Sequence, residues 1–179
     1  MKVLLVNGSP HMEGCTYTAL TEAAKTLNEE GIDTEIFWIK NKPIGGCIAC
    51  LSCREKGKCV FEDSVNEFAE KMKEADGFIF GTPVHYAGAS GNMTAFMDRV
   101  FYSTACGGHS DYYMYKPAAM VVSARRAGTT ATYNQLNKYF GINQKGGIII
   151  FNITFILLPL FLIPAHGLLQ CACHPFLIR

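Results

Sequence analysis

A chain of 179 residues, 49% of them hydrophobic, is long enough to bury one core. Its formal net charge of +1 excludes the basic footprint of a nucleic-acid binder and an acidic interaction tail. Eight cysteines would suit a secreted disulfide scaffold, but Met1-Lys2-Val3 runs straight into an apolar segment with no signal peptide. A cytoplasmic location is therefore expected, where clustered cysteine serves metal or redox chemistry.

In chain order, residues 2–7 (KVLLVN) form a short apolar run, as a buried parallel strand should, and end in Gly8-Ser9-Pro10. Thr16 to Glu30 reads as a helix with Leu20, Ala23, Ala24 and Leu27 on one face and Gly31 as its stop. Thr34 to Ile39 is a second strand. Residues 41–62 carry Pro43, Gly45, Gly46 and Gly57 and read as loop. Ser64 with Glu67 suggests a capping box for a helix running to Ala75. Gly77 to Thr82 is a third strand, and Ser90 caps a helix bearing Met93, Phe96, Met97, Val100 and Phe101. Ala118 to Ser123 is a fourth strand, followed by a helix over Thr129 to Phe140. The alternation predicts an α/β fold, a doubly wound parallel sheet with helices on both faces. Ligands of such sheets bind beyond the carboxyl ends of the strands, so the loops after strands 1, 3 and 4 are the candidates.

The loop at 41–62 holds Cys47, Cys50, Cys53 and Cys59, spaced C-x2-C-x2-C-x5-C. Four thiolates within thirteen residues can wrap a compact soft-metal centre. The spacing differs from the bacterial ferredoxin run, which has three residues before its fourth cysteine and a proline after it. From spacing, an iron–sulfur cluster, a zinc knot and unligated redox cysteines all stay open.

After strand 1, Gly8-Ser9-Pro10-His11-Met12-Glu13-Gly14-Cys15-Thr16 leads directly into a helix and supplies hydroxyls, small residues and amides for an anion. It is neither G-x-G-x-x-G nor a P-loop, which disfavours dinucleotides and nucleoside triphosphates and favours a monophosphate such as that of FMN. The alternative is a Gly/Pro turn with a threonine cap. After strand 3, Pro83, Val84 and Tyr86 can wall a flat ring while loop amides reach its polar edge, and His85 either lines the pocket or stands outside it. After strand 4, Ser123-Ala124-Arg125-Arg126-Ala127-Gly128-Thr129 combines small residues with two arginines that can hold phosphate, contact a partner subunit or face solvent.

GSPHMEGCT, GTPVHYAGASGNMTAFMDR and SARRAGT, together with GCIACLSCREKGKCVFEDSVNE, resemble the iron–sulfur flavoproteins, a branch of the flavodoxin-like NAD(P)H-dependent FMN reductase family. The resemblance covers roughly residues 1–144 with the motifs in order. It implies a flavodoxin-like fold of strand order 2-1-3-4-5, FMN, a 4Fe–4S cluster and assembly as a homodimer or homotetramer. Carried over, Ser9, His11, Gly14, Cys15 and Thr16 take the FMN phosphate. Thr82, Pro83, Val84, His85, Tyr86, Ala87 and Gly88 line the isoalloxazine, and Ser123, Ala124, Gly128 and Thr129 close the site. Cys47, Cys50, Cys53 and Cys59 ligate the cluster. His11 stands where many relatives have Arg, Cys15 where Asn or Ser is usual, and Ala87 and Ala89 where small hydroxylated residues or Pro are frequent.

After Gln144 the resemblance stops. Relatives continue with a fifth strand and a last helix; residues 145–179 are here strongly apolar and lack acidic residues. This tail reads as an altered or frameshifted terminus, with a divergent strand and helix, or a membrane anchor, as the alternatives. Ile148–Phe151 is a candidate edge strand, Cys171 and Cys173 are not expected as ligands, and Cys106 reads as an ordinary partly buried thiol.

The function these features favour is electron transfer through FMN and a cluster, between a donor such as ferredoxin or NAD(P)H and a small-molecule or protein acceptor. No side-chain general base is required. Arg54, Lys56 and Lys58 offer a basic face for an acidic carrier. The alternatives are a cluster-free NAD(P)H-dependent FMN or quinone reductase, and a non-catalytic flavin or zinc module.

Overall fold

The computed structural model describes residues 1–142 and the backbone of 150–156. Its strands are β1 (Lys2–Asn7), β2 (Asp33–Trp38), β3 (Gly77–His85), β4 (Gly88–Ala89), β5 (Ala118–Ala124) and β6 (Ile150–Ile156). Its helices are α1 (Cys15–Glu29), α2 (Cys53–Lys56), α3 (Ser64–Met72), α4 (Gly91–Cys106) and α5 (Thr129–Ile142), with a 3-10 turn at Ser110–Tyr112. The main sheet runs β2-β1-β3-β5-β6 with every pairing parallel, while the short β4 folds back antiparallel on β3. This is the expected 2-1-3-4-5 order, with the small β4 added.

The fifth parallel strand exists, at Ile150–Ile156, where it pairs with the whole of β5. It lies past Gln144 and is shifted along the chain from the candidate edge strand at 148–151. Residues 157–179, including Cys171 and Cys173, lie outside the described residues. Among the described residues no helix is long and apolar enough to cross a membrane.

Alternation along β1 explains the two-sided core. Leu4 and Val6 face one side with Phe78 and Phe80 of β3, beneath α3, α4 and α5. Val3 and Leu5 face the other side with Val121, beneath Ala19, Leu20 and Ala24 of α1. A strand buried on both faces has no polar side, which is why β1 reads as a continuous apolar run. The larger core is aromatic: Phe68, fully buried, meets Phe37 and Phe96 at 5.3 Å and Phe80 at 6.1 Å between ring centroids. These three neighbours lie tilted or edge-on to Phe68, as ring quadrupoles favour.

Two local expectations are corrected. The N-cap of α3 is Asp63, whose carboxylate accepts from the Val65 amide at 3.1 Å, rather than Ser64 with Glu67. Ser64 is already helical and buried, and Asp63 has the extended backbone a cap needs. The cysteine loop is also not all irregular, since α2 gives it one helical turn stopped at Gly57, φ +68°.

Candidate functional site

The chain reverses direction across the sheet between β1 and β3, and the three candidate loops leave the carboxyl ends of β1, β3 and β5, which are neighbours there. Backbone and hydroxyl bonds draw these loops together. The Gly8 amide donates to the Gly81 carbonyl at 2.8 Å, and the Ser90 hydroxyl donates to the Gly8 carbonyl at 3.3 Å. Thr16 and Ser123, both buried, share a hydroxyl–hydroxyl bond of 2.7 Å that joins the first loop to the third. A side chain at Gly8 would strike Met93 Sδ at 2.7 Å, so glycine there serves close packing of the loops.

The first loop is organised by Asn7. Its Oδ1 accepts from the Ser9 amide at 3.0 Å, and its Nδ2 donates to the Met12 carbonyl at 3.0 Å. Ser9 is buried, its carbonyl accepts from the Trp38 indole at 2.8 Å, and its hydroxyl accepts from the His11 amide at 3.2 Å. Asn7 and Trp38 were not among the sequence candidates; an asparagine closing a buried strand was the available signal. The N-cap of α1 is Gly14, which has no capping side chain, and the first turn has no acidic residue. An uncapped, uncharged helix start beside two hydroxyls is chemically suited to a phosphate.

The second loop departs from the expected flat wall. Thr82 is wholly buried and its hydroxyl donates to the Pro83 carbonyl at 3.1 Å, so it supports the loop from inside. Pro83 and Val84 are half-buried, whereas His85, Tyr86 and Ala87 are exposed, Tyr86 completely. Tyr86 and Ala87 turn the chain with φ of 49° and 64°. Gly128 of the third loop, φ +103°, lies so close to that turn that a Cβ would sit 2.6 Å from Ala87 Cα. Ser123 and Ala124 are buried, Gly128 and Thr129 half-buried, and Arg125 and Arg126 exposed.

The cysteine loop begins beside this site. Asn92, at the start of α4, donates to the Lys42 carbonyl at 3.1 Å and accepts from the Ile44 amide at 3.3 Å. Cys47, Cys50, Cys53 and Cys59 line one concavity together with Ile48, Leu51, Phe61, Arg99 and Tyr102. Ala49 and Leu51, at φ of 54° and 59°, bracket Cys50 and curl the chain around that concavity. Cys47 and Cys50 are exposed, Cys59 half-buried and Cys53 buried. Among the described residues no three His, Cys, Asp or Glu side chains stand close enough to hold a metal ion. The donor set fits an iron–sulfur cluster in kind, four thiols on one surface, although the sulfurs have not converged.

The surroundings of these thiols differ. A hydrogen bond from Ser52 holds the Cys50 thiol below its ordinary pKa, whereas burial, with Cys106 alongside, pushes Cys53 up. Cys106 is a half-buried free thiol, as expected, and lies beside Cys53 and Tyr102. The backbone of Cys59 is clamped by Asn66, which accepts from its amide at 3.1 Å and donates to its carbonyl at 3.0 Å. Arg99 of α4 is 1% exposed and forks onto Asp63 at 2.6 and 3.1 Å. Burial works against its charge, but the bonds to Asp63 and Cys59 outweigh it and raise its pKa.

Residues 1–156 match the model of the NADPH-dependent FMN reductases. The chain belongs to that family. It is 38% identical over 144 residues to an iron–sulfur flavoprotein of Methanocaldococcus jannaschii, covering 80% of this chain and 74% of that one. It is 32% identical to an iron–sulfur flavoprotein of Methanosarcina thermophila over 55% of this chain, and there spans only 52% of the relative. An archaeal flavodoxin superimposes with a TM-score of 0.52 at 14% identity, over 87% of this chain and 85% of that one, which supports the fold. As a member of this family the chain is a flavin-dependent oxidoreductase, and the family match extends twelve residues beyond Gln144.

Proposed function

We propose that the loops after β1, β3 and β5 hold FMN through the residues that the motif resemblance assigns to it, and that Cys47, Cys50, Cys53 and Cys59 hold a 4Fe–4S cluster. The observation that carries this reading is that all four thiols line one concavity, with a buried guanidinium against it. Bound FMN supplies one- and two-electron chemistry, and a thiolate-held cluster supplies single-electron transfer. Ser9 and Thr16 would hold the phosphate at the start of α1, the Pro83–Val84 segment would border the ring, and Gly128 lets the second and third loops pack closely together. No side chain is required to move a proton. A ferredoxin or NAD(P)H is the proposed donor, a small molecule or protein the acceptor, and a homodimer or homotetramer the assembly.

The spread of the thiols favours a second reading, a cluster-free NAD(P)H-dependent FMN or quinone reductase. The two separate on iron and acid-labile sulfide assays of anaerobically purified protein and of Cys53→Ser. The first reading expects both elements beside FMN in the parent, and their loss with FMN retained in the variant. Iron-free parent protein that still turns over with NAD(P)H decides for the second.

A further inference from the structure

Arg99 is among the largest side chains fully enclosed by this fold, and it is a cation. A buried charge is costly unless its donors are all engaged. Two of its N–H groups form the fork on Asp63, and the same guanidinium reaches the Gly45 carbonyl at 3.4 Å and the Phe61 carbonyl at 3.5 Å. It also lies 4.9 Å from the Phe61 ring centroid. The remaining contact is the unusual one. Nε and Nη2 both point at Cys59 Sγ, at 3.3 and 3.1 Å. Two N–H groups of one fixed, buried cation thus converge on a single sulfur of the proposed ligand set.

One side chain on α4 thus grips both ends of the cysteine loop, Gly45 before the first ligand and Cys59 with Phe61 around the last. Asp63 completes the arrangement, since it neutralises Arg99 and caps α3, whose Asn66 holds the Cys59 backbone. Hydrogen bonds to cluster sulfurs and nearby charge are among the means by which proteins set cluster potentials.

We propose that Arg99 is the positioning residue of this centre. It fixes Cys59 in the ligand set, and its charge, attenuated by Asp63, raises the reduction potential of the metal group bound there. The proposal rests on the cluster reading above. It makes two predictions of opposite sign. Arg99→Met removes the cation and lowers the equilibrium constant for one-electron reduction about tenfold or more, about 59 mV downward. Asp63→Asn keeps a capping side chain but removes the neutralising charge, and shifts the potential upward. Arg99→Lys keeps the charge without the fork and recovers part of the Arg99→Met loss.

The test is an anaerobic redox titration followed by EPR on the FMN-loaded parent and the three variants, with iron, sulfide and FMN content measured in parallel. Opposite shifts in Arg99→Met and Asp63→Asn support the proposal, as does loss of iron with FMN retained in Arg99→Met and its recovery in Arg99→Lys. Full iron and coincident potentials in parent and variants overturn it while leaving the cluster reading intact. If Arg99→Met loses FMN as well and so fails to fold, Asp63→Asn decides alone, an unmoved potential overturning the proposal. A parent that holds FMN but neither iron nor sulfide overturns the cluster reading, and this proposal with it.

Discussion

Thr16 and Ser123 lie 107 positions apart in sequence, yet their hydroxyls meet at 2.7 Å inside the protein. Removing one partner of a buried bond strands the other, at a cost of about 1–3 kcal/mol, whereas removing both is cheaper. Thr16→Val should therefore destabilise the fold by that amount and Thr16→Val/Ser123→Ala by less than the sum of the two single changes, measured by urea denaturation. Both hydroxyls were legible in the sequence, Ser123 because it closes the apolar run of a strand and Thr16 because it opens the helix after the first loop, where a parallel sheet presents its ligand sites. Arg99 was passed over, since a lone arginine in a helix ordinarily faces water. Its position was nevertheless informative. It falls three residues after Phe96 and one before Val100, in phase with the apolar stripe of α4, so it had to be buried and partnered.

Among the elements, β3 and its following hairpin carry the greatest departure from expectation. The strand runs on through Pro83 and Val84 to His85, because β4 turns back and pairs with Val84 and His85. Two consecutive non-glycine residues with positive φ make that turn, a conformation that TPVHYAG does not advertise. Gly128 is what lets the β5 loop lie against it. Gly128→Ala meets both a left-handed backbone and Ala87 Cα at 2.6 Å. FMN affinity should fall at least about tenfold, or about 1.4 kcal/mol, with a stability loss of about 1–3 kcal/mol. Fluorescence titration with FMN beside thermal melts separates the two effects.

Edge strand β2 is tied at Glu35, which bonds Lys2 of β1 at 2.8 Å and Lys71 of α3 at 2.6 Å. These two bonds, Lys2 first, hold the Glu35 carboxyl below its ordinary value of 4.5. A depressed acid stabilises the fold above its unfolded pKa, and that contribution is lost as pH falls through the folded pKa. Stability should thus decline on acidification below about pH 4.5, more steeply in the parent than in Glu35→Gln. Denaturation midpoints across pH 3 to 7 that run parallel for the two proteins would contradict this.

For the molecule as a whole, the α/β alternation was readable because the central parallel strands stand out as short apolar runs near glycine or proline, whereas the strand order came with the family resemblance of the motifs. The tail was harder. Residues 150–156 have the apolar character of a strand but lie within a longer apolar stretch that hides where the strand begins and ends. The thiol loop stood out by spacing as a candidate ligand set with cluster, zinc and unligated cysteines all open, and the fold adds what spacing lacks: a shared concavity, Asn66 on the Cys59 backbone and Arg99 on its sulfur. One polypeptide thus sets the candidate flavin edge of the sheet and the four-cysteine surface along α4, joined at its start by Asn92 and along its length by Arg99.

The most direct test of that account is the absorbance and EPR spectrum of the anaerobically purified protein before and after dithionite. The account predicts flavin bands overlaid on broad iron–thiolate absorbance that bleaches on reduction, with a paramagnetic cluster signal appearing and roughly four irons per chain. A flavin spectrum with no underlying absorbance and no such signal, from protein folded and protected from oxygen, would contradict it.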